Sequence, residues 1–164
     1  MLIELKTKND ARAQLVAFVA GAVSKDKTRA TLQHVYSTGS EIAATDTHRC
    51  HTADVELKEG FYKVLKLTKT VVQLVKVEDP GVFPDYKRII PTADKLVAFK
   101  SNGQALRHAE VTRALGNGAI DFKYFCDACP PCMTHYQITD MFSPVLFTSK
   151  EMTSVVMPIV DRSE

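Results

Sequence analysis

The densest group of chemically capable side chains in this sequence is Cys126, Cys129, Cys132 and His135, spaced C-x2-C-x2-C-x2-H in "CDACPPCMTH". Thiolates and an imidazole can fill a tetrahedral zinc site or ligate an iron–sulfur cluster. Spacing this tight strains a single ion, because structural zinc sites draw their ligand pairs from separate turns. The alternative is a helix over "FKYFCDA" whose Phe125, Cys126 and Cys129 pack inward, since free cysteine behaves as a small apolar residue. Asp46, His48 and His51 form a second group, of types that suit a metal-assisted hydrolase or nuclease. Alternation along a strand sets Asp46 and His48 on one face and His51 on the other, so the three do not converge. The chain has neither a phosphate-cradling glycine loop nor a nucleophile elbow. These spacings point away from an enzyme and away from any resident cofactor, and leave a small Cys/His metal-binding protein as one reading.

A third group is cationic. Duplex DNA carries one charge per roughly 1.7 Å, so a protein that tracks it needs Lys and Arg on the facing surface, held loosely enough to slide. Candidates are Arg12, Lys25, Lys27 and Arg29 around the first helix, and Lys63, Lys66, Lys69 and Lys76 in a second basic stretch. The plain alternative is a solvated charged face. No aromatic or Arg-rich base-reading motif accompanies them, so sequence-specific recognition is not expected.

The elements that must position these groups follow from the hydrophobic pattern. "LIELK", Leu2 to Lys6, alternates and predicts a strand. Asn9 and Asp10 are good helix caps, and Leu15, Phe18, Val19 and Ala22 recur at helical spacing, which predicts a helix from about Asp10 to Ser24. Its other surface carries Ala13, Ala17, Ala20 and Gly21, small enough for close approach of a neighbour. The stretch from Arg29 to Leu57 predicts two strands joined at Ser37 to Ser40, and "FYKVLKL" a further one. "TKTVVQLVKV" fits a strand by its β-branched residues and a short helix by the spacing of Val71, Leu74 and Val75. "VFPDYKRIIP", Val82 to Pro91, predicts an edge strand framed by Pro84 and Pro91, with Asp85, Tyr86, Lys87 and Arg88 on alternating faces at a rim. "KLVAFKS" predicts a strand closed by Asn102-Gly103, whereas residues 104–115 fit helix and strand equally. A helix ending at Pro130-Pro131 and three closing strands complete an α+β class.

Composition bounds the rest. The 164 residues, 45% hydrophobic and 24% charged, suit one domain with its own core. The 21 basic and 19 acidic residues leave only +2, too little for nucleic-acid binding by bulk charge, so any basic surface is local. "MLIELKTKND" is not expected to be a signal peptide, and no run approaches the roughly 20 apolar residues of a membrane span. A cytoplasmic, reducing location without membrane contact is expected, with the four cysteines as thiols or ligands rather than disulfides.

Three separated stretches, in order, resemble the bacterial DNA polymerase III beta subunit, the sliding clamp. They are "ATDTHR" (Ala44 to Arg49) after a Gly-turned hairpin, "FPDYKRIIP", and the pair "SPVLF" and "VVMPI" near the carboxyl end. Residues 92–118 show no such likeness. The resemblance implies a shortened clamp-like (processivity-fold) chain, with 1–164 as one compact domain. Residues 1–91 resemble the first part of a middle clamp domain with its linking strand, and 119–164 the closing half of a last one. It also implies a DNA-encircling ring of repeated domains with helices lining the hole, non-sequence-specific contact with double-stranded DNA, here through Arg12, Lys25, Lys27, Arg29, Lys66 and Lys69, and self-association as a homo-oligomer.

Partners such as a replicative polymerase would dock by linear peptides in an apolar pocket. Carried over by position, that pocket involves Leu32, Thr45, Thr47, His48, Arg49 and Cys50 from the hairpin region, and Pro84, Arg88 and Ile89 from the central segment. Val145, Val155, Val156, Met157, Pro158 and Ile159 would come from the carboxyl end. These types suit the task. Apolar side chains form a floor that anchors a peptide, Met157 adds adaptability, and Arg49, Arg88 and His48 fix its register. By pattern alone the same valines fit ordinary strand core better, and it is the ordered motifs that favour the pocket. The sequence departs from the family pattern at Thr47, where glycine is favoured, at Cys50, where leucine is, and in the tail "IVDRSE". A non-encircling relative that binds clamp-seeking peptides as adaptor or competitor is the remaining alternative.

Overall fold

A computed structural model describes residues 1–160, so the tail beyond Val160 lies outside the described residues. The chain divides into two compact units, Met1–Pro84 and Asp85–Glu164, and the division falls inside the Val82 to Pro91 segment.

In the first unit, strand β1 (Leu2–Lys6) precedes helix α1 (Ala11–Ala20), followed by β2 (His34–Ser37), β3 (Glu41–Thr45), β4 (Arg49–Asp54), β5 (Gly60–Leu67) and β6 (Val71–Val77). The strands lie in the order β1–β6–β5–β2–β3–β4, every neighbour antiparallel. Asp10 stays extended and accepts the Ala13 N–H at 3.1 Å, satisfying one of the donors a helix start leaves open. The helix buries Ala13, Leu15, Val16, Val19 and Ala20 and packs on β3, β4 and β6. Ala13 and Ala20 therefore belong to the core face itself. The helix ends at Ala20, short of Ser24, because the Ala22 and Val23 N–H groups turn back to Val19 and Ala20 and the Ser24 N–H bonds the Leu32 carbonyl. The Arg29 to Leu57 stretch holds three strands rather than two, since Asp46–His48 reverse the chain between β3 and β4. "TKTVVQLVKV" is strand: β6 is paired on both sides, which β-branched residues favour and a helix could not satisfy.

In the second unit the order is β7 (Val97–Ala98), α2 (Gln104–Leu115), β8 (Gly118–Ala119), α3 (Phe122–Ala128), β9 (His135–Gln137), β10 (Val145–Thr148), β11 (Met152–Val156) and β12 (Ile159–Val160). Antiparallel pairing runs β11–β10–β9–β7, with β12 paired to β8. Asp121 caps α3 by accepting the Tyr124 N–H at 2.9 Å. Phe125, Met133, Leu146 and Phe147 are fully buried here.

The Val82 to Pro91 segment is not a strand. Phe83 folds back to stack on Tyr36, ring centroids 5.1 Å apart, and Tyr86–Arg88 form one 3-10 turn closed by the Arg88 and Ile89 N–H groups. Two prolines remove the donors a ladder needs, and the tight turn takes most of what remains. "KLVAFKS" shrinks to Val97–Ala98, because the Lys100 and Ser101 N–H groups go to the Glu110 carboxylate rather than to a neighbouring strand. Among the described residues no helix is long and apolar enough to cross a membrane. The observed class is α+β, with three helices beside extensive antiparallel sheet.

Candidate functional site

The β3–β4 turn gathers five of the residues singled out above. Asp46 organises it: its Oδ1 accepts the His48 and Arg49 N–H groups at 3.0 and 3.1 Å, and its Oδ2 takes the Arg49 Nε at 3.2 Å. The Thr45 hydroxyl donates to the Arg49 carbonyl at 2.6 Å and accepts the Thr47 N–H. Thr47 is left with φ 79°, in the left-handed region that glycine enters freely and a β-branched residue enters at a cost. This is the physical content of the glycine preference noted for that position. His48 is exposed.

Arg49 is only 8% exposed, and its guanidinium spans the Asp46 carboxylate and, at 2.8 Å, the carbonyl of Gly21 at the end of α1. A buried cation persists only when paired and hydrogen-bonded, and a cation at a helix carboxyl end also opposes the dipole there. Arg49 thus ties the turn to the helix. Cys50 is fully buried, and burial, followed by the charges of Glu41 and Asp46, pushes its thiol up to about 12, so it is a packing residue. His51 points away from the turn: its ring stacks on Phe18 at 4.5 Å and its Nδ1 bonds the Phe18 carbonyl at 2.8 Å. Asp46, His48 and His51 accordingly do not converge. Leu32 is buried at the end of a 3-10 segment, and Pro84 is exposed.

In the second unit Arg88 is exposed and pairs with Asp85 at 2.9 Å, beside the 45%-exposed Ile89. Val145, Val155 and Val156 are core: Val145 faces Val156 across the β10–β11 ladder and Val155 faces Leu146. The chain then turns outward, leaving Met157 41% and Ile159 59% exposed around Pro158.

The basic residues are free of the core. Lys25, Lys27 and Arg29 occupy an exposed loop after α1, shaped by Asp26, which accepts the Thr28 N–H and hydroxyl. Arg12 is exposed and donates to the Glu56 carbonyl at 2.9 Å, while Lys66 and Lys69 lie exposed on β5 and its following turn.

No group of three His, Cys, Asp or Glu among the described residues is placed to hold a metal ion. Cys129 is the residue after α3 and fully buried, with its thiol pushed up to about 12 by burial, while Cys126 is half-buried and Cys132 exposed. Phe125 and Cys129 thus pack inward as the helical reading expects, and Cys126 does so only in part.

What the sequence did not reveal is α2. Its Arg107 lies 4.5 Å over the Phe99 ring and donates to the carbonyls of Ser101 at 3.1 Å and Met133 at 2.8 Å. Glu110, one turn on, collects two backbone N–H groups and the Tyr136 hydroxyl. The signal available was the i, i+4 placement of Arg107, Val111 and Leu115.

No family model and no curated protein matches this chain. Solved structures do. The beta subunit of DNA polymerase from Streptococcus pyogenes superposes with a TM-score of 0.62 at 16% identity, covering 98% of this chain and 66% of that one. The DNA polymerase III beta subunit of Thermotoga maritima gives 0.62 at 16%, covering 97% and 65%. The Caulobacter crescentus beta sliding clamp, which holds PEG at its putative beta-motif tethering region, gives 0.59 at 17%, covering 96% and 65%. The chain spans about two thirds of the length of these structures. Identities this low speak for architecture, and the architecture is that of the bacterial DNA polymerase III beta subunit: this chain has the sliding-clamp fold.

Proposed function

We propose that this chain is a sliding-clamp-type processivity protein, which self-associates around duplex DNA and docks a polymerase or another replication or repair protein through a linear peptide. The observation that carries the reading is a clamp-fold likeness covering 98% of the chain. The role is one of binding rather than catalysis. The exposed side chains of Met157, Ile159 and Ile89 are of the apolar type, and that of exposed Arg88 of the cationic type, that a docked peptide requires. In this reading Arg49 acts by holding the β3–β4 turn in shape. The exposed Lys25, Lys27 and Arg29 supply loosely held charge for a sliding contact.

A non-encircling adaptor is the second reading. It is favoured by Leu106, 63% exposed on α2, and Phe122, 50% exposed on α3, where a DNA-facing helix calls for cations. Light scattering decides between them. Oligomers that persist on DNA are expected for the clamp, whereas monomer alone at micromolar concentration, with and without DNA, removes encirclement. A fluorescent clamp-binding peptide is expected to bind the wild type and to lose affinity for Met157→Asp. Indifference to both proteins refutes peptide docking in either reading.

A further inference from the structure

The first unit contains a recess of about 460 Å³ that shares only Lys76 with the candidate DNA-facing residues named above and none with the peptide-docking set. Its apolar wall is the Tyr36, Phe61 and Phe83 cluster: Tyr36 stacks on Phe83, and Phe61 leans on Tyr36 and Phe83 at centroid distances of 5.1 and 6.2 Å. Its polar rim is Glu59, Lys76 and Asp79. A recess of this size falls in the range of ligand sites.

Two glycines shape its rim. Gly60 has φ 131°, and a Cβ there would meet the Lys76 Cε at 2.9 Å. Because that Cβ is missing, the Lys76 stem lies across Gly60 and its ammonium donates to the Glu59 carbonyl at 2.6 Å. Gly81, with φ 132°, gives its N–H to the Asp79 Oδ1 at 2.7 Å and carries the chain into Val82, a valine left 91% exposed beside the mouth. The one cation of the rim is thus engaged by backbone, while the Glu59 and Asp79 carboxylates, both on exposed residues, have no ion-pair partner among the described residues. The recess joins an aromatic wall to a rim of two carboxylates and one ammonium, which is negative on balance.

We infer that this cavity is a second ligand site, taking a short peptide segment that carries an aromatic or aliphatic side chain next to a lysine or arginine. The apolar side chain lies against the three rings. The neighbouring cation meets Glu59 and Asp79, and attraction to the ring faces adds to that pairing.

The chain has no tryptophan, so a tryptophan-bearing peptide reports its own burial by fluorescence. The probe is N-acetyl-Lys-Trp-Lys-amide, compared with its charge-reversed partner N-acetyl-Glu-Trp-Glu-amide at low salt. Saturable, blue-shifted binding of the lysine peptide is expected, with the glutamate peptide about tenfold weaker. The double variant Glu59→Gln, Asp79→Asn changes only exposed side chains and is expected to erase that preference. Tyr36→Ala should weaken both peptides; if circular dichroism shows that it fails to fold, Val82→Lys at the exposed mouth replaces it and should repel the lysine peptide. Met157→Asp should leave binding unchanged, which separates this site from the docking surface proposed above. Absence of saturable binding, equal affinity for the two peptides, an undiminished preference in the double variant, or loss of binding in Met157→Asp would each overturn the inference.

Discussion

The two units hold their helices by different means. In the first, α1 is fixed by apolar contact: five buried residues press on a sheet in which short turns join β2 to β3, β3 to β4 and β5 to β6, and a buried cation, Arg49, closes the helix end. In the second, α2 buries only Val111 and Leu115, and four of its polar side chains bond backbone outside the helix. Arg107 grips Ser101 and Met133, Glu110 collects Lys100 and Ser101, His108 bonds the Ile120 carbonyl, and Gln104 reaches the carbonyls of Cys126 and Cys129. A sheet can be assembled from local hairpins. Loops without a ladder must satisfy their N–H and C=O groups from side chains, and here one helix supplies them.

The sharpest way to break this contrast is Arg107→Leu. It removes two short bonds to carbonyls and the stacking on Phe99, and should destabilise the second unit by about 3 kcal/mol in a urea titration. Amide exchange should accelerate at residues 99–101 first. Its counterpart, Arg49→Leu, strands the Asp46 carboxylate and the Gly21 carbonyl and should cost about 2 kcal/mol. If Arg49→Leu proved the more damaging, the first unit would depend on its polar closure as heavily as the second does.

The helix caps should differ less. Asp10→Ala and Asp121→Ala each remove one N-cap bond and should each cost about 1 kcal/mol, measured by thermal unfolding. Thr47→Gly runs the other way. Relief of the left-handed backbone should stabilise the first unit by about 0.5–1 kcal/mol, less whatever the freer unfolded chain takes back, and a loss would show that the threonine methyl or hydroxyl matters more than its φ.

The smallest effect concerns alkaline pH. Cys50 and Cys129 are held protonated in the folded state, one in each unit, their thiols pushed up to about 12 chiefly by burial. An unfolded thiol ionises near its ordinary value of 9.0, so the stability from these groups is present below that pH and is lost as pH rises toward about 12. Cys50→Ala and Cys129→Ala should each flatten the alkaline decline, and an unchanged slope would mean that other groups set it.

What could be read from the residues follows the same division. The strand Leu2–Lys6, the Asp10 cap and the β2–β3 hairpin were legible because each is decided within a few residues, by alternation, a capping oxygen or a glycine turn. The third strand after Asp46 was hidden, since the turn is built by Asp46 and Thr45 side chains and runs through Thr47, a residue no turn rule would place there. The Val82 to Pro91 segment misled for a related reason. Its alternation suits a strand, but no neighbour offers it a ladder, and Phe83 finds a better place on Tyr36.

By itself, then, the order of residues determined the α+β class, the first helix and its cap, the extended character of the closing segments, and the clamp likeness carried by three short strings. Only the tertiary structure decided that Arg49 is turned inward while Met157 and Ile159 are turned out, that residues 104–115 are a helix, and that Tyr36, Phe61 and Phe83 line a recess. The reason is range: periodicity and capping act across one or two turns of chain, whereas burial and the partner of a charged group depend on residues brought together from far along it.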